Sequence, residues 1–170
     1  MTEEEFRTAF YEHKDVVFRF AWRMTNSPAA AEDIAQDVFL LLLRQPERFD
    51  RRRGSLRSFL LGMARNVALK NWRDESRWEE LDDDQPSHWS ASSGETAEVV
   101  GAAVSALPPL QREVLILAEY EGLSIDEIAA AVQADAGAVK ARLHRAREKM
   151  RHMLAPLVET HRSTTHATTR

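Results

Sequence analysis

Ser124 and Glu127, three residues apart at the head of an apolar run, constrain this chain more than any other feature. A serine hydroxyl and a glutamate carboxylate at that spacing each satisfy a free backbone N–H at the start of a helix. Ile125, Ile128, Ala129 and Val132 then fall on one helical face. The pattern breaks at Gln133-Ala134-Asp135, where Asp135 can cap a second helix after a short turn. In that second helix Val139, Leu143, Ala146 and Met150 form the apolar stripe. Lys140, His144, Arg147 and Arg151 repeat the same spacing on another face, with Arg145 beside them. From Ala138 to Met153 there are six Lys or Arg against one acid, which suits a helix lying in a groove lined by phosphates. A charged face alone is usually only solvated surface; the short turn and the capped preceding helix favour a DNA-binding helix-turn-helix.

The net charge of −4 in 170 residues conceals a segregation along the chain. Residues 79 to 98 hold seven acids and no Lys or Arg, whereas 44 to 77 hold ten Lys or Arg against four acids. Two basic blocks thus flank one acidic spacer, and the distribution matters more than the sum. The longest apolar run, Val38 to Leu43, is too short to cross a bilayer, so no membrane insertion is expected. The acidic N-terminus MTEEEF lacks a signal peptide's cationic region, and the absence of cysteine removes disulfide and thiolate chemistry. A cytoplasmic protein is expected.

Periodicity predicts a helix from Glu3 to Thr25, stopped by Asn26-Ser27-Pro28, and a second from Pro28 to about Gln45 that buries Ile34, Val38, Phe39 and Leu42. On its other face Asp33, Gln36, Asp37, Leu40 and Arg44 follow helical spacing. Pro46 to Ser55 is a basic loop with Arg48, Arg51, Arg52 and Arg53 around a lone aromatic, Phe49. A third helix follows from Ser55, with Leu56, Phe59, Leu60, Met63, Val67 and Leu69 able to pack and Arg57, Arg65, Asn66, Lys70 and Arg73 able to face out. Cations interleaved with rings suit single-stranded nucleic acid, although Phe59 and Trp72 read individually as core. Residues 79–95 lose apolar period and are expected to be a flexible acidic linker. Helices from Val99 to Ala106 and from Leu110 to Glu121 then precede the helix-turn-helix. The fold class is all-α: two small helical domains, 1–78 and 96–157, joined by the linker, with a disordered tail expected over 158–170.

Five pieces in this order resemble bacterial sigma factors of the sigma-70 family, in the short extracytoplasmic-function group that carries regions two and four only. They are AEDIAQDVF at Ala31 to Phe39, ARN at Ala64 to Asn66, LPPLQREVLIL at Leu107 to Leu117, EGLSIDEIA at Glu121 to Ala129 and VKARLHRAR at Val139 to Arg147. The resemblance implies a factor, not itself an enzyme and needing no cofactor, that binds core RNA polymerase, directs it to promoter DNA and helps open the duplex. It implies that Asp33, Gln36, Asp37 and Leu40 contact the β′ clamp helices. Phe49, Arg51, Arg52, Arg53, Ser55, Asn66, Lys70 and Arg73 would serve the minus-10 element, with a non-template base flipped into the Phe49 loop. Lys140, Ala141, His144, Arg145 and Arg147 would serve the minus-35 element. An anti-sigma factor is implied as a further partner. The chain departs from the family at Gln133, where Gly is common, at Ala138 and Ala141, where Thr and Ser are common, at Phe59, where Trp is common, and at Lys70, where an acid is common.

A competing reading is a two-domain regulator whose helix-turn-helix binds operators without polymerase; it leaves the basic loop and the AED-x-x-QD face unexplained. Enzyme chemistry has little support, because the six histidines show no metal-ligand spacing and no Gly-rich phosphate loop is present.

Overall fold

The computed structural model of the chain describes residues 1–75 and 95–166, with the backbone alone at residues 75 and 160–166. Among the described residues the regular structure is helical: α1 (Glu3–Thr25), α2 (Pro28–Arg44), α3 (Leu56–Glu75), α4 (Thr96–Ala106), α5 (Pro109–Leu115), α6 (Ile125–Val132) and α7 (Ala136–His166). The acidic linker expected over 79–95 lies, Glu95 apart, outside the described residues.

Local chemistry fixes the helix ends. At α1 the Glu5 N–H donates to Thr2 Oγ1 at 3.2 Å while the Thr2 N–H donates to Glu5 Oε2 at 2.6 Å, a reciprocal cap. Asn26 ends α1 in the left-handed region at φ 54°, and Ser27 caps α2 by accepting from the Ala30 N–H at 3.2 Å. The short Asn26-Ser27 link folds α2 back on α1. Phe6 and Phe10 of α1 meet Phe39 of α2 edge to face, with centroids 6.5 and 4.9 Å apart.

The Ser124–Glu127 box forms as expected: the Glu127 N–H donates to Ser124 Oγ at 3.2 Å and the Ser124 N–H to Glu127 Oε2 at 2.9 Å. Asp135 caps α7, accepting from the Ala138 N–H at 2.8 Å. Between them Gln133 takes φ 55°, a left-handed conformation that costs a residue with a Cβ about 1 kcal/mol.

Two boundaries differ from expectation. The helix expected over Leu110 to Glu121 ends at Leu115 and continues as a π-helical turn, Ile116–Tyr120, closed by the Glu121 N–H donating to Ile116 O at 3.1 Å. The widened turn carries Glu121 back into the protein, where it is buried. The tail expected to be disordered from residue 158 is instead helical to His166, with α7 running through Pro156. Thr, Ser and His are only mildly unfavourable in helices, so nothing after Pro156 forces a stop. Residues 167–170 lie outside the described residues.

One apolar cluster, from Ala9 to Met153, runs through both helical halves without interruption. The two halves are therefore packed on each other. Phe20, Met24, Ile34, Leu42, Leu60 and Leu61 fill the N-terminal side and Leu107, Ile116, Leu117 and Ile128 the C-terminal side, all fully buried.

Candidate nucleic-acid interface

Asp33, Gln36, Asp37 and Leu40 all lie exposed on one face of α2, because Ile34, Val38 and Leu42 turn the opposite face into the core. Leu40 and Leu43 are about half exposed, so this acidic face also carries apolar surface.

The loop between α2 and α3 is built by Asp50. Its Oδ1 accepts from the Arg52 N–H at 2.9 Å and its carbonyl from the Arg53 N–H at 3.0 Å, a side-chain turn that holds Arg51, Arg52 and Arg53 out in solvent. Ser55 starts α3, accepting from the Ser58 N–H at 3.1 Å. Phe49, expected to be a lone ring, packs on Phe59 with centroids 5.4 Å apart. Phe49, Arg53, Ser55, Phe59 and Asn66 converge on a cavity of about 460 Å³. Arg51, Arg52, Lys70 and Arg73 are exposed outside it. Asn66 is exposed at the cavity and its Oδ1 accepts from Arg65 Nη1 at 3.1 Å.

On α7 the face carrying Lys140, Ala141, His144 and Arg147 is exposed, opposite the buried Val139, Leu143 and Ala146. His144 stands 3.5 Å from Glu148. Arg147 is held by Glu119 of the π-helical turn, its Nε at 2.8 Å and its Nη2 at 2.6 Å from Glu119 Oε1. Arg145 lies deepest of the five, half buried with its Nε covered.

Arg57 and Arg65, expected to face out of α3, point instead at the C-terminal half. Arg65 forms a two-pronged pair with the fully buried Glu113, at 2.7 and 3.0 Å. Arg57 donates to Glu121 Oε2 at 2.7 Å and to the Glu121 carbonyl at 2.8 Å, while Arg23 lies 3.8 Å from the same carboxylate and stacks on Tyr120 at 4.2 Å. In the other direction Arg112 donates to the Met24 carbonyl at 2.6 Å, to Leu107 O at 2.9 Å and to Ser105 O, and its guanidinium lies over the Trp72 ring at 4.9 Å. The carbonyls of Met24 and Ser105 belong to the C-terminal turns of α1 and α4, whose dipoles favour a cation. Burial lowers the Arg112 pKa to about 10, which leaves it charged at neutral pH. Gly62 of α3 makes the closest backbone approach: a Cβ there would lie 3.1 Å from the Ala131 carbonyl of α6. The sequence placed Arg57 and Arg65 on an outward face and gave Arg112, Glu113 and Glu121 no role of their own, because each looks like an ordinary helix-surface charge until the other half covers it.

The family model described as Sigma-70 region 2 matches residues 10–78, and that described as Sigma-70, region 4 matches residues 97–150. Over 155 residues the chain is 30% identical to the ECF RNA polymerase sigma factor SigE of Mycolicibacterium smegmatis, covering 85% of this chain and 59% of that protein. It is 32% identical over 135 residues to the ECF RNA polymerase sigma factor SigD of Mycobacterium tuberculosis, covering 74% of this chain and 64% of that protein. The chain thus spans roughly three fifths of the length of these relatives. Its fold is similar to that of the sigma factor RpoE of Bartonella quintana, solved with the anti-sigma factor NepR, with a TM-score of 0.72 at 22% identity over 89% of this chain and 98% of that one. With region 2 matched on α1 to α3 and region 4 on α4 to α7, in that order, the chain belongs to the sigma-70 family of RNA polymerase sigma factors, in its extracytoplasmic-function group.

Proposed function

We propose that this chain is a promoter-specificity factor: it binds core RNA polymerase, directs it to promoters and assists opening of the duplex, acting in the cytoplasm without catalysis of its own. The observation that carries the reading is the cavity where Phe49, Arg53, Ser55 and Asn66 meet. It offers a ring for stacking, a cation for phosphate and an amide for a base edge, the set that a flipped base requires. An operator-binding regulator has no use for such a cavity.

In this reading the acidic face of Asp33, Gln36, Asp37 and Leu40 meets the β′ clamp helices, charged groups giving register and the half-exposed Leu40 giving apolar contact. Arg51, Arg52, Lys70 and Arg73 guide the strand backbone beside the cavity, and Lys140, Ala141, His144, Arg145 and Arg147 address the minus-35 element. Glu119 must release Arg147 before it can reach a phosphate, and Ala141 brings no hydrogen bond of its own. The RpoE relative was solved bound to an anti-sigma factor, and we propose that this chain is likewise restrained by one.

Run-off transcription with bacterial core polymerase and a genomic promoter library tests the reading. Discrete transcripts that appear only when the chain is added are expected. Their absence, together with tight duplex binding by the chain alone, would favour the polymerase-independent regulator.

A further inference from the structure

We infer that the Phe49–Asn66 cavity is also a binding site for a free mononucleotide, with its phosphate at Arg48 and Arg53 and the exocyclic amino group of its base at Asp126. The inference rests on the proposed place of one base in that cavity and adds a ligand that needs neither promoter nor polymerase.

The cavity lies in the seam between α3 and α6, and the two elements bring it opposite charges. The loop before α3 contributes Arg48 and Arg53, with Gly54 and Ser55 at the start of the helix. The free N–H groups of a first helical turn favour an anion in the same place. Helix α6 contributes Asp126, Glu127 and Gln133. The rings of Phe49 and Phe59, with centroids 5.4 Å apart, and the buried Gly62 and Met63 give the cavity its apolar part. A flipped base accounts for a ring, a cation and the Asn66 amide, but it leaves the α6 carboxylates without a part.

Two of these charges are uncommitted. Among the described residues neither the Arg53 guanidinium nor the Asp126 carboxylate has a hydrogen bond or an ion pair. Glu127 Oε2, by contrast, accepts from the Ser124 N–H at 2.9 Å, and Arg48 gives one nitrogen to Gln45 Oε1 at 3.3 Å. A guanidinium suits a phosphate, and a carboxylate oxygen accepts from the exocyclic amino group of adenine or cytosine. The ring between those groups can stack on Phe49. At about 460 Å³ the cavity falls within the ~300–1,000 Å³ of small-molecule sites, which suits one nucleotide. Both ends of such a ligand are then selected: a nucleoside leaves the arginines unanswered, and a base without an amino group leaves Asp126 without a donor.

Isothermal titration of the full chain with adenosine monophosphate, in the absence of polymerase and DNA, tests this. Saturable binding with a Kd of about 100 µM or tighter is expected for a ligand of this size. Adenosine, which lacks the phosphate, and purine riboside monophosphate, which lacks the amino group, should each bind about tenfold more weakly. Arg53→Ala should weaken adenosine monophosphate about tenfold and leave adenosine unchanged. Asp126→Ala should weaken adenosine monophosphate about tenfold without weakening purine riboside monophosphate. Both residues are exposed, so the circular dichroism of each variant should match the parent. No saturable binding up to about 1 mM, or binding of adenosine monophosphate that either variant leaves unchanged, would overturn the inference. Run-off transcripts from a chain that does not bind adenosine monophosphate overturn the inference and leave the proposed function standing. Absence of transcripts from a chain that binds it in the manner described overturns the functional reading and keeps the nucleotide site.

Discussion

Removing Arg57 tests whether the two halves share a buried carboxylate in solution. The Glu121 side chain is 3% exposed and receives Arg57 at 2.7 Å, whereas Arg57 itself is 35% exposed. Breaking a buried pair so that one charge stays buried costs about 3–5 kcal/mol. Two features lower that here: Arg23 already lies 3.8 Å from Glu121 and can move closer, and the solvent at Arg57 screens part of the attraction. Arg57→Ala should therefore destabilise the chain by about 2 kcal/mol, a factor of roughly thirty in the folding equilibrium. The reciprocal change is milder. Glu121→Gln strands no charge and keeps an amide oxygen for Arg57, so about 1 kcal/mol is expected. The double variant should be less destabilised than the sum, with a coupling of about 1 kcal/mol. Urea unfolding followed by circular dichroism measures all three at one temperature. If both single variants fall within about 0.5 kcal/mol of the parent, as exposed substitutions do, the seam is not formed in solution and the reasoning fails.

Other consequences are as open to test. Gly62→Ala would add about 1 kcal/mol of helix propensity to a solvent-facing α3. Against the Ala131 carbonyl at 3.1 Å it should lower the unfolding midpoint of the full chain, and a raised midpoint would mean that the helices stand apart. Asp33→Arg with Asp37→Arg should abolish co-purification with core polymerase while leaving the circular dichroism unchanged, since both residues are exposed; retained co-purification removes the clamp-contact assignment. Asn66→Ala should impair promoter opening in permanganate footprinting more than it impairs polymerase binding, because an amide offers a base edge both donor and acceptor and a methyl neither. Normal opening would reduce Asn66 to a surface residue.

Those tests fall on two kinds of residue, and only one kind was legible in the sequence. Ser124, Glu127 and Asp135 declared the helix-turn-helix because capping is local: donor, acceptor and helix start lie within four residues. The α2 face was equally readable, since helical period alone separates Ile34, Val38 and Leu42 from Asp33, Gln36 and Asp37. Helix α5 was not. Its period predicts a buried side and a wet side, yet Gln111, Arg112 and Glu113 are all buried. Decisive partners of the two charged ones stand far back in the chain: Arg65 is 48 residues from Glu113, and Met24 is 88 from Arg112. No window of local sequence holds that information. The π-helical turn at Ile116–Tyr120 was equally hidden; it ends at Glu121, which is buried beside Arg57, a residue 64 positions earlier in the chain. For the cavity, the sequence supplied Phe49 and Asn66 but not its α6 wall, which depends on how the two halves meet.

The central claim, that this chain reads promoters as part of a polymerase rather than alone, is tested most directly by one binding comparison. A promoter duplex found by run-off transcription and a scrambled duplex of equal length are titrated with the chain alone and with the chain bound to core polymerase, at a single fixed salt concentration, because phosphate contacts make affinity salt-dependent. The account predicts that the free chain binds both duplexes weakly and alike, through the cations of α7, and that strong preference for the promoter appears only with polymerase. Tight, sequence-specific binding by the free chain, unchanged when polymerase is added, would contradict it.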